Sequence, residues 1–155
     1  AGKLIGVLIL VTALVAGVAL YYLQVYAFYE ELAPEDVTIQ LTSLTSELPE
    51  PIQTADLSAI DSDSSPLRFR ACFTTPSSIA ALSEGYFIYD AAEPLNAPEW
   101  FACFDATALA QALADGRAIA FLGEREIRDG VDRVVAVFDD GRAFAWHQLN
   151  EKYKD

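Results

Sequence analysis

The sequence predicts an α+β protein, in which one N-terminal transmembrane helix carries a ferredoxin-like (duplicated βαβ) domain extended by a C-terminal β-meander. Three observations predict it. Leu4 to Tyr29 holds no charged residue in 26 positions. The chain slid on itself by 31 residues lays Phe69-Arg70-Ala71-Cys72-Phe73 over Trp100-Phe101-Ala102-Cys103-Phe104. Two Asp-Gly pairs, Asp129-Gly130 and Asp140-Gly141, separate apolar runs near the C-terminus. The expected organisation is an anchor over 1–29, an acidic Pro/Ser-rich connector over 30–66 with one strand, and a folded domain over 67–155.

As a helix the apolar stretch would be about 39 Å long against about 30 Å of hydrocarbon, enough to span. Gly17-Val18-Ala19 has the small-x-small form of a signal-peptidase site, but the apolar run continues well past it, beyond the usual length of a signal core. An Ala-Gly start is what trimming of an initiator Met would leave. Lys3 is the one basic residue before the span, and none follows until Arg68, so positive-inside bias places the N-terminus in the cytoplasm. The domain is then periplasmic, in a bacterial inner membrane. Tyr21, Tyr22, Tyr26, Phe28 and Tyr29 cluster at the outer end, as an interfacial aromatic belt does.

Gly6, Leu10, Ala13, Gly17, Tyr21 and Gln24 follow steps of three and four and form one stripe of this helix. The Ala13 and Gly17 pair lets a second helix approach closely in lipid, which makes integral membrane subunits the expected partners. Small residues are also common in any spanning helix.

The net charge of −13 is unevenly placed. Residues 30–66 hold nine acids and no base, and an acidic chain is a poor ligand for nucleic acid phosphates. Within that segment Val37 to Leu41 alternates apolar and polar residues and reads as a strand, while Pro34, Pro49, Pro51 and Pro66 and many Ser, Thr and Asp read as solvated chain. Glu30, Glu31, Glu35 and Asp36 form an acidic surface with two readings. One is a landing place for a basic soluble cytochrome c, through attraction that salt weakens. The other is simple solubility beside an anionic bilayer.

Each copy of the repeat reads strand, helix, strand. In the second copy Asp105 is a natural N-cap, Ala106 to Ala114 is rich in helix formers, and Gly116 is a C-cap glycine. The first copy has Pro76 near the helix start and Gly85 at its end. Two such units in series give a split βαβ sheet with both helices on one face. The Asp-Gly turns then link Ala118–Ile127, Val131–Phe138 and Arg142–Leu149 into a meander. Alternation sends Leu67, Phe69, Ala71, Phe73, Trp100, Ala102 and Phe104 toward the helices. Arg68, Arg70, Cys72, Phe101 and Cys103 point the other way.

Cys72 and Cys103 are the only two cysteines, and in an oxidising compartment a disulfide is expected of them if their strands lie side by side. Two buried thiols, or a reactive or metal-binding pair, are the other readings. A copper site with His147 as third ligand lacks support from spacing, since there is no C-x-x-C and no methionine. No resident metal or cofactor is expected. Nor is an enzyme: no serine sits in a nucleophile elbow, no Gly-rich phosphate loop is present, and the pairs Asp139-Asp140 and Glu124/Glu126 fall on turns or strand surfaces.

The segment Tyr21-Tyr22-Leu23-Gln24-Val25-Tyr26-Ala27-Phe28-Tyr29-Glu30, with the later Ala-Cys-Phe motifs, resembles an uncharacterised family of small single-pass alphaproteobacterial inner-membrane proteins. The resemblance implies bacterial origin and one membrane crossing, and it brings no activity or catalytic residue. The expected function is therefore that of a non-catalytic accessory subunit of an energy-transducing inner-membrane complex, a respiratory cytochrome complex or supercomplex. The alternative is a membrane-anchored assembly factor that handles thiols or copper for such a complex.

Overall fold

The computed structural model describes residues 1–25 and 29–153. Helix α1 runs Gly2–Val25 and is followed by a domain of eight strands and two short helices. These are β1 Glu30–Leu32, β2 Gln40–Thr42, β3 Pro49–Pro51, β4 Ala55–Asp61, β5 Arg70–Thr74, α2 Ile79–Gly85, α3 Ala106–Ala114, β6 Ala118–Arg128, β7 Val131–Phe138 and β8 Arg142–Leu149. The main sheet has the order β1-β4-β5-β8-β7-β6 and every pairing in it is antiparallel. Strands β2 and β3 form a separate two-stranded ribbon.

The meander forms where the turns place it. Gly130 and Gly141 take the left-handed backbone, with φ of 74° and 90°, that a tight Asp-Gly turn demands and a Cβ resists. Helix α3 also matches its signals: the Asp105 carboxylate accepts the Ala108 N–H at 3.0 Å, and Gly116 closes the last turn at φ 76°. Ser78 caps α2 in the same way through Ala81 N–H at 3.1 Å.

The duplicated βαβ architecture is not present. The two aligned motifs take different structures: Arg70–Thr74 is a central strand, whereas 98–104 is a run of turns in which Pro98 and Phe101 carbonyls accept the Phe101 and Phe104 N–H groups. Both edges of β5 are already taken, by β4 and β8, so no place is left beside it for a second copy. The end of the first copy is reduced to single bridges, Ser43 to Tyr86 and Ile88 to Phe121.

Residues 30–66 are likewise not a plain connector. They supply β1 through β4, and β4 is an interior strand of the main sheet, paired on both sides. Its sequence Ala-Asp-Leu-Ser-Ala-Ile-Asp buries only Ala59 and Ile60, too little apolar alternation to announce a strand. The strand expected at Val37 to Leu41 is β2, shifted toward Thr42.

Helices α2 and α3 lie on opposite faces of the sheet, not on one. Leu82 of α2 packs in a core with Ile39, Leu41, Phe69, Ala71, Phe73, Phe121 and Val135. Leu109 of α3 packs in the other, with Cys72, Phe101, Phe104, Val134 and Trp146. Phe104 thus joins the face of Cys72 rather than that of Phe69. A sheet covered on both sides buries Trp146 and Phe121 completely and has a core on each face.

Candidate functional site

The helix offers the first candidate surface. No residue of the apolar span Gly2–Leu23 is buried. Leu10 is 72% and Tyr21 59% exposed, and Ala13 is exposed between them. A Cβ built on Gly6 or Gly17 would meet no atom within 4 Å, so the small residues of the stripe form an open face. Thr12 satisfies its own hydroxyl on the Leu8 carbonyl at 2.8 Å, which leaves no polar debt inside the apolar stretch. Gln24 is helical, and its side chain lies outside the described residues. By length and composition the segment Gly2–Leu23 can cross a membrane, as an anchor or a signal sequence.

Glu30, Glu31, Glu35 and Asp36 are all exposed, but they sit on folded backbone: the first two on edge strand β1, the others in a 3-10 turn at Pro34–Asp36. The acidic surface is therefore fixed to the sheet.

The two cysteines form a disulfide, with Cα atoms 6.3 Å apart. It joins β5 to the turns ahead of α3, so it fastens a central strand to the segment that failed to become one. Cys72 is buried and Cys103 exposed. The expected neighbouring-strand geometry is not what brings them together; the folding of 98–104 across the sheet face does. Closing a loop of this length constrains the unfolded chain by about 3 kcal/mol.

His147 lies on the opposite face of the sheet from this pair, so the three do not converge. Its ring stacks on Phe69 at 4.8 Å, and the Arg133 guanidinium lies 4.0 Å from the centre of the same Phe69 ring. Arg133 Nε donates to His147 Nε2 at 3.0 Å, which requires that nitrogen to be unprotonated, while Nδ1 donates to the Pro66 carbonyl at 2.8 Å. Burial first, and then the Arg133 charge, push the imidazole down to about 3. His147 is a neutral packing residue. Among the described residues no group of three His, Cys, Asp or Glu side chains is placed to hold a metal.

Two polar clusters had no counterpart in the sequence reading. Arg70 is buried, and its guanidinium donates to four carbonyls: Leu67 and Phe69 at 2.6 Å, Leu95 and Asn96 at 3.0 Å. Desolvation lowers it to about 10, which leaves the charge in place at neutral pH. It ties the loops on either side of the sheet to one point. Arg133 is lowered to about 10 in the same way, by burial.

The second cluster surrounds Asp132, a fully buried carboxylate at the start of β7. It accepts from the Tyr89 hydroxyl and the Glu126 N–H at 2.9 Å and from Asn150 Nδ2 at 3.0 Å, with Arg125 at 3.9 Å. Glu126 holds a left-handed backbone, φ 53°, at a register shift in β6, and its carboxylate takes the Gly130 N–H and a second Asn150 bond. Burial and the Asp132 hydrogen bond push the Tyr89 phenol well above its ordinary range. The cluster opens into a cleft of about 460 Å³ bordered by Ile88, Asp90, Arg125 and Lys152. Every buried polar atom described there has a partner, so the chemistry on view is fastening: Asp132 locks the irregular end of β6 to β7 and β8. Its one sequence signal was an acid next to Val131, on the inward phase of a strand.

Fold and surfaces together define a small protein with one apolar, membrane-length helix and a disulfide-tied α+β domain. Residues 39–155 match the model of a family of unknown function, DUF6446, and the chain belongs to that family. No curated protein and no solved structure matches it.

Proposed function

We propose that this protein is a non-catalytic accessory subunit of a bacterial inner-membrane energy-transducing complex, a respiratory cytochrome complex or supercomplex. One observation carries the reading: the apolar span Gly2–Leu23 buries none of its residues, and its small positions Gly6 and Gly17 stand open. In lipid such a helix gains by packing on another helix. The N-terminus lies in the cytoplasm and the domain in the periplasm, a placement that Lys3 and the Cys72–Cys103 disulfide support. The fixed acidic surface at Glu30, Glu31, Glu35 and Asp36 suits transient approach of a basic cytochrome c. Within the family, origin from alphaproteobacteria fits the Tyr21 to Glu30 segment.

The test is to solubilise native membranes in mild detergent, separate complexes without denaturant, and identify what co-migrates by mass spectrometry and visible spectrum. Fixed stoichiometry with a haem-bearing complex is the expected result. Migration alone would overturn it.

One observation favours a second reading, a periplasmic assembly factor that exchanges thiols: Cys103 of the disulfide is an exposed residue. A Cys72→Ser, Cys103→Ser double variant separates the two. An accessory subunit loses stability yet still incorporates, whereas an assembly factor leaves its client without cofactor.

A further inference from the structure

The strand register gives the domain two distinct ends. Glu30 pairs with Asp61, Ile60 with Arg70, Arg70 with Trp146, Val131 with Leu149 and Arg128 with Val131, so these residues share one end of the sheet. Ala55, Thr74, Arg142 and Ala118 mark the other. The first end is also where the chain arrives from α1.

Tyr29 is held at that end. Its ring meets Trp100 edge-on at 5.9 Å, and the Arg68 guanidinium lies 5.3 Å over it. Four peptide steps separate Tyr29 from Val25, the last helical residue, and can stretch at most about 14 Å. A helix that spans the hydrocarbon therefore delivers the domain into the headgroup layer with this end first.

The cations are divided unevenly: of the eight described ones that follow the helix, six lie at the near end, Arg68, Arg70, Arg125, Arg128, Arg133 and Lys152. Carboxylates stand among them in at least equal number, Glu30, Asp61, Glu124, Glu126, Asp129, Asp132 and Glu151, and two are paired directly, Asp132 by Arg125 and Asp129 by Lys152. At the far end Asp56, Asp115, Asp139 and Asp140 face two arginines, Arg117 and Arg142, each spent on a neighbouring Asp. At the near end Trp100 and Tyr29 are side chains suited to the membrane interface, and the Arg68 guanidinium over the Tyr29 ring is of the kind that binds a lipid phosphate.

We infer that the near end of the domain, around Tyr29, Trp100 and Arg68, rests on the lipid headgroups of the membrane that α1 spans. The inference rests on α1 being retained as an anchor and not on the identity of any partner protein. The mass of the purified chain settles retention before the experiment begins.

The full chain is reconstituted in vesicles of phosphatidylcholine and phosphatidylglycerol carrying a nitroxide either on the headgroup or at mid-chain. The protein has two tryptophans, and Trp146 is fully buried with its Nε1 hydrogen on Gln148 at 2.9 Å. The headgroup nitroxide should quench emission by up to about half through Trp100 alone, with the mid-chain probe weaker. Trp100→Phe should abolish that quenching. Absence of headgroup quenching in the unaltered chain would overturn the inference. So would quenching that persists in Trp100→Phe, since it would come from Trp146 in a domain presented the other way or unfolded.

Discussion

Helix α1 and the sheet domain dispose of their apolar side chains in opposite ways. The domain turns its apolar side chains inward on two faces of one sheet and gives every described buried polar atom a partner. The helix turns all of its apolar side chains outward and buries none. The first arrangement is complete in one chain, while the second leaves an apolar surface that, on the function proposed above, lipid and another helix cover. Stability therefore belongs to the domain and association to the helix, and variants in one region should leave the other's property alone.

The largest expected effect breaks the domain. Trp146 is fully buried at the junction of β5, β7 and β8, with Phe104 edge-on at 6.3 Å. Trp146→Ala should cost about 3–5 kcal/mol, a large share of a small domain's stability. Denaturant titration of the detergent-solubilised chain measures it. A loss under about 1 kcal/mol would contradict the core described here.

Next in size is the disulfide. Replacing Cys72 and Cys103 together by Ser should lower stability by about 3 kcal/mol, read as a fall in the denaturation midpoint with a steeper slope, because the unfolded chain is no longer cross-linked. Reductant should reproduce the loss in the natural chain and add nothing to the variant.

A smaller, pH-dependent effect sharpens the distinction further, because α1 holds no group that titrates in the same range. His147 has a folded value of about 3 against about 6.5 unfolded, so the unfolded chain binds the proton more readily. Its contribution is whole above about pH 6.5 and is lost as pH falls from there toward 3, by at most about 1.4 kcal/mol per pH unit. At pH 5 the loss is about 2 kcal/mol as an upper bound. His147→Gln, whose amide oxygen can still accept from Arg133, should flatten this slope in melting curves taken from pH 7 to pH 5.

What was legible in the sequence divides along physical lines. Local signals carried through: Asp105 caps α3, Gly116 ends it, and the two Asp-Gly turns set the meander to the residue at most boundaries. The repeat misled because a shared string of side chains does not fix backbone structure when neighbours differ. Arg70 to Phe73 found partners on both edges, while Phe101 to Phe104, hemmed by Pro98 and fastened to Cys72, curled into turns. Strand β4 was hidden because its burial comes from long-range pairing rather than from its own alternation. The Asp132 cluster was hidden for the same reason, since it draws on residues from 89 to 150 that no local pattern links.

The smallest expected effect on stability is the one that probes function most directly. Gly17 and Ala13 are open positions on an apolar span that buries none of its residues, so Gly17→Leu or Ala13→Leu should shift domain unfolding by no more than about 0.5 kcal/mol. In lipid the same change fills the groove that a partner helix would use, and a leucine there prevents close backbone approach. The expected outcome is a chain that is fully folded and membrane-bound yet no longer co-migrates with its host complex. Retention of the complex by both variants would move the contact to another face of α1 or to the domain. Loss of domain stability would mean that helix and domain are coupled after all, and the division of labour between them would fail.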